Sequence, residues 1–126
     1  MERWLWIALG GALGTAARYG ISLWTTAQFG PGFPVGTVLV NLVGCFGMGA
    51  LMPVALALAW PETLRLALTV GFLGGFTTYS SFNYETTRLM TAGAATSAAI
   101  NAGVTIIGGL VAGWAGLLCG RLVVGR

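Results

Sequence analysis

From Tyr19 to Pro61 the chain runs 43 residues without a charged side chain. A bilayer-crossing helix needs about 20 predominantly apolar residues, so this stretch is long enough for two spans and must contain a turn. Further uncharged stretches of 14, 19 and 32 residues cover 4–17, 66–84 and 89–120. The charges number nine in 126 residues, or 7%, where soluble domains carry about a quarter. These lengths predict a multi-pass membrane protein: one four-helix transmembrane domain over 1–126, with no room for a soluble domain.

The same composition excludes several chemistries. There is no histidine, and the two cysteines, Cys45 and Cys119, lie inside apolar runs. Zinc sites, histidine acid/base catalysis and Cys/His nucleophile pairs therefore lack their groups, and the cysteines read as small apolar residues rather than a disulfide. No enzyme activity is expected. The net charge is +3, but the six arginines are scattered with no basic stripe, so no nucleic-acid partner is expected either.

The first helix is expected from about Trp4 to Trp24, with tryptophans near both ends as interfacial anchors. A cleaved leader is the competing reading of this segment, and its removal would leave three spans. Thr25 to Pro34 reads as a loop from its Gly and Pro content. The second helix is expected from Val35 to about Trp60, ending at a short connection that forces an antiparallel neighbour. The third segment meets Gly71, Gly74 and Gly75 and then the polar run from Thr77 to Asn83. Its apolar halves, 64–76 and 83–92, are about 20 Å and about 15 Å long as helix. Neither crosses a core of about 30 Å alone, which predicts a third helix broken near the membrane centre. The fourth is expected from about Ala94 to Cys119.

Glycine pairs four apart recur at Gly10 and Gly14, Gly109 and Gly113, and Gly116 and Gly120. Such faces allow close helix packing in lipid, and four thin helices make a poor solitary bundle, so an oligomer is expected. If the spans alternate, Arg3, Arg65, Arg121 and Arg126 fall on one side of the membrane and Arg18 and Arg88 on the other. A bias this small fits insertion in both orientations.

The few polar side chains inside the spans carry the functional reading. Thr37 and Asn41 share a face of the second helix, and Ser97, Asn101 and Thr105 form a stripe on the fourth. Interhelical hydrogen bonding is one account of them, and the lining of a pathway is the other. The line offers hydroxyl and amide donors with no fixed negative charge except Glu85, beside a break that aims a helix N-terminus at the membrane centre. That combination suits a small anion. Tyr79 and Phe82, three apart, either pack together or add the positive edges of their rings.

The stretch from Gly71 through Phe82 (GFLGGFTTYSSF), followed by Glu85-Thr86, resembles the signature of the Fluc family of fluoride channels, also called CrcB. GGALGTAARY at 10–19 and the residues Gly36-Thr37 and Val40 to Gly44 are similar to that family's first- and second-helix motifs. The resemblance implies a four-helix protomer in an antiparallel, dual-topology homodimer of the cell (inner or plasma) membrane. It further implies two pores that pass fluoride passively out of the cytoplasm and give fluoride resistance. It places the pore asparagine on Asn41, the two box aromatics on Tyr79 and Phe82, the hydroxyl side on Ser80, Ser81 and Thr105, and the glutamate on Glu85. Arg18 falls on a vestibule position. A structural sodium ion at the dimer centre would be held by the backbone carbonyls of Gly74 and Thr77.

Two positions depart from the family pattern: Tyr79 replaces the usual phenylalanine, and Asn101 stands where tyrosine is common. A different class, a small dual-topology proton-coupled transporter of the multidrug type, would need a membrane-embedded carboxylate, for which Glu85 is the candidate and Arg88 a neutralising partner one turn away.

Overall fold

The structure, a computed structural model, describes residues 1–125, so Arg126 lies outside the described residues. Those residues form helices and short connections, with no strand among them. Helix α1 is Glu2–Phe29 and α2 is Val35–Ala57. Helix α3 covers 62–76 and passes through a wider-wound stretch at Ala67–Leu73. Helix α4 is Tyr79–Thr91, and α5 is Ala95–Val123 with a second wide stretch at Val104–Gly108.

Several ends differ from the sequence expectation. Helix α1 extends five residues past Trp24 and stops where Gly30 turns to φ 76°, a conformation glycine adopts at little cost. Helix α2 stops at Ala57 rather than Trp60: Ala59 adopts φ 48°, and Trp60 precedes a proline, which disfavours helical backbone. Pro53 is accommodated within α2. Helix α4 closes in a Schellman motif, where Gly93 at φ 77° lets the Ala94 N–H donate to Leu89 O at 2.9 Å.

The largest correction concerns the polar run. Only Thr77 and Thr78 leave helical geometry, with φ/ψ of −86°/157° and −152°/113°. Tyr79 to Phe82, expected as part of the interruption, are already helical. The Thr78 hydroxyl explains this by accepting from the Ser81 N–H at 3.2 Å, a side-chain cap that starts α4 four residues early.

Glycines decide which helices touch. A Cβ on Gly10 or Gly14 of α1 would strike the carbonyl oxygens of Ala67 and Phe72 on α3. A Cβ on Gly116 or Gly120 of α5 would strike those of Phe46 and Ala50 on α2. The stripes read as packing faces are therefore used inside one chain, pairing α1 with α3 and α2 with α5. An ion pair between Arg3 and Glu62 at 3.2 Å joins the starts of α1 and α3.

Burial is inverted relative to a water-soluble bundle. Leu110 and Trp114 are 73% and 63% exposed, whereas Thr37, Asn41, Thr69 and Asn101 are buried. Helices α2 and α5 are both long and apolar enough to cross a membrane, and an apolar exterior is what a lipid solvent demands.

Candidate functional site

The site grows from the two residues that interrupt the helix. Once Thr77 and Thr78 are extended, the Thr78 peptide groups need partners from elsewhere. Asn41, on the adjoining face of α2, supplies both. Its Oδ1 accepts from the Thr78 N–H at 2.7 Å, and its Nδ2 donates to Thr78 O at 3.0 Å. An amide donates and accepts at once without carrying charge, and one Nδ2 hydrogen remains for another partner. The Thr78 hydroxyl donates to Ser81 Oγ at 3.1 Å and lies 3.3 Å from Ser80 Oγ.

Beside this junction runs an open groove of about 510 Å³. Asn41, Gly74, Thr77, Tyr79, Phe82 and Thr105 line it together with apolar residues of α2 and α5. The Tyr79 and Phe82 rings stand 5.5 Å apart, tilted by 57°. Phe82 is 5% exposed and Tyr79 75%, so one ring is built into the chain and the other projects from it.

The remaining candidates lie apart from the groove. Ser80 and Ser81 cluster around Thr78. Glu85 Oε1 accepts from the Thr37 hydroxyl at 2.8 Å, and both residues face a second cavity of about 220 Å³ that includes Thr25, Pro31 and Arg88. Arg88 reaches Pro31 O at 3.5 Å, so the Glu85–Arg88 ion pair weighed from the sequence is replaced by a Glu85–Thr37 hydrogen bond. Arg18 donates from Nε to Gly75 O at 3.0 Å, at the C-terminal end of α3.

On α5, Asn101 is fully buried and donates from Nδ2 to the Thr86 hydroxyl at 2.9 Å, which itself donates to Phe82 O at 2.7 Å. Thr86, present in the sequence motif but given no role there, joins the candidate site through these two bonds, a role that depends on how α4 and α5 meet and leaves no local signal. Among the described residues, three buried side-chain oxygens have no hydrogen-bond partner: Glu85 Oε2, Asn101 Oδ1 and Thr105 Oγ1.

The expected free N-terminus at the break is partly consumed. The Thr78 and Ser81 N–H groups go to Asn41 and to the Thr78 hydroxyl, which leaves the partial positive charge of α4 but fewer donors than an uncapped helix would offer.

This arrangement spans segments that also match a known family along almost the whole chain. The family model for CrcB-like protein, Camphor Resistance (CrcB), matches residues 5–117. The chain belongs to the CrcB family. Relatives include the fluoride-specific ion channel FluC of Sorangium cellulosum (strain So ce56), 48% identical over 125 residues and covering 98% of both chains. That of Anaeromyxobacter sp. (strain K) is 48% identical over 126 residues, 99% of this chain and 100% of its own. That of Citrifermentans bemidjiense is 44% identical over 122 residues, 96% of this chain and 98% of its own. Coverage of this extent takes in the interruption, Asn41 and the groove together. As a CrcB protein with an apolar exterior, the chain is a membrane protein.

Proposed function

We propose that this protein is a fluoride-selective passive ion channel that lets cytoplasmic fluoride leave the cell and so gives fluoride resistance. The observation that carries the reading is the Asn41–Thr78 double hydrogen bond beside the Phe82 and Tyr79 rings, in a chain whose relatives are named fluoride-specific ion channels. It is the kind of wall a small anion needs, with neutral donors in place of hydration water and no fixed cation to trap the ion. Asn41 offers its second amide hydrogen, the two rings offer positive edges, Thr105 borders the groove as its hydroxyl-bearing side, and Ser80 and Ser81 add hydroxyls beside Thr78. Glu85, held by Thr37, stands at the end of this line next to the second cavity. Arg18 adds positive potential on the vestibule side of the interruption.

In this reading the chain is a single four-helix transmembrane domain of the cell membrane. α3, the extended Thr77-Thr78 pair and α4 together make one membrane crossing, broken near its centre. At about 22 Å and about 20 Å, neither half crosses the hydrocarbon core alone. Two copies in antiparallel orientation form the working dimer with two pores. Three features support it: the groove is open on one chain, Tyr79 projects from it, and the arginines are nearly balanced between the two sides.

A sodium ion at the dimer centre fits the donor set. Gly74 and Thr77 both border the open groove at the C-terminal end of α3, where carbonyl oxygens and the negative end of the helix dipole favour a cation. Their carbonyls would hold it, and its charge would bind the two broken helices together. The proton-coupled transporter is not proposed: Glu85 is engaged by Thr37, and the relatives' names are those of channels.

Expression in a bacterium lacking its own fluoride exporter tests the physiological claim. Growth in fluoride medium is expected to be restored, and continued growth arrest with the protein present in the membrane would contradict it.

A further inference from the structure

Asn101 and Thr105 lie one turn apart on α5, and each presents a buried oxygen that no group of the chain satisfies. Asn101 is 0% exposed. Its amide orientation follows from Thr86, whose single hydroxyl hydrogen goes to Phe82 O, so that the Thr86 oxygen accepts from Nδ2. That leaves Asn101 Oδ1 as an acceptor without a donor, while the Thr105 hydroxyl is a donor without an acceptor. The two are not bonded to each other. Both atoms are buried within one chain, and the Thr105 side chain also borders the open groove. The helix is regular through Asn101 and becomes wide-wound at Val104–Gly108, a stretch that includes Thr105 and a distortion that often accompanies functional sites.

One small molecule meets all of these demands. We propose that Asn101 Oδ1 and Thr105 Oγ1 hold a single ordered water, which accepts from Thr105, donates to Asn101 and keeps its second hydrogen for a further acceptor. Buried waters are retained where two to four polar partners converge in this way. Thr105 also borders the groove with Phe82 and Asn41, so the free hydrogen is a neutral donor for an anion passing that wall. The water-site claim stands on burial and hydrogen bonding alone, and its part in conduction rests on the fluoride-channel reading.

The test is a crystal structure of the wild-type chain in fluoride-free buffer, paired with fluoride flux from Asn101→Leu, Thr105→Val and the double variant in liposomes. Density about 2.7–3.2 Å from both oxygens is expected without fluoride. Each single variant is expected to lower flux by about tenfold, and the double variant no further than the lower single, because both act through one water. No density, or density that appears only with added fluoride, would overturn the water. Density with unchanged or independently additive flux would overturn its role in conduction. If a variant fails to fold, the wild-type density still decides the site. A wild-type chain that carries no fluoride while showing the density would overturn the channel reading and leave the water in place.

Discussion

Thr78 works through its backbone and its hydroxyl at once, and this is why the site is so compact. Its peptide groups bind Asn41, its Oγ1 caps α4 through Ser81, and the ring pair follows directly in sequence. Replacing Asn41 by alanine removes both side-chain bonds and leaves the Thr78 N–H without its acceptor. A loss of about 1–3 kcal/mol is expected, read as a lower thermal midpoint in detergent, together with strongly reduced fluoride flux. Unchanged stability would mean that Asn41 does not hold the interruption. Asn41 was legible as a costly intramembrane amide, yet its partner was not, because a backbone group in an interruption leaves no mark in residue type. Glu85 was legible as an isolated carboxylate, but its bond to Thr37 depends on how α2 and α4 meet and is absent from either local sequence.

At the level of helices, the spacing of glycines is the readable signal and the choice of neighbour is not. Gly10 and Gly14 turn out to receive α3, and Gly116 and Gly120 receive α2, which GxxxG spacing alone cannot assign. Gly116→Ala should therefore force α2 and α5 apart against the Phe46 carbonyl and destabilise the fold by about 1–3 kcal/mol. Gly103→Ala, with no neighbour within 4 Å in the chain, should be neutral or gain up to about 1 kcal/mol of helix propensity. Thermal unfolding of the two variants side by side checks this, and equal midpoints would contradict the packing. Helix ends were legible where composition marks them, as at Pro34 before α2, whereas the same loop was read as starting at Thr25 although α1 continues to Phe29. They were missed where one side chain decides, as with the Thr78 cap or the left-handed Ala59 that stops α2.

The whole molecule is best understood from what it leaves open. One chain buries amides and hydroxyls, exposes leucine and tryptophan to lipid, and leaves a groove of about 510 Å³ unroofed between α2, α5 and the interruption. An inverted second copy would roof that groove and bring two interruptions together. Compartment-specific reporters fused in turn to the C-terminus are expected to be active on both sides of the membrane, and activity on one side alone would contradict dual topology. The most direct measurement of the central claim is fluoride release from liposomes containing only the purified protein, recorded with a fluoride electrode. Potassium-filled vesicles carrying valinomycin would balance charge with no proton gradient imposed. Rapid fluoride loss that begins with valinomycin, with chloride retained under the same conditions, is the predicted result. Fluoride that stays inside until a proton gradient is applied, or chloride that leaves equally fast, would contradict a passive fluoride-selective channel.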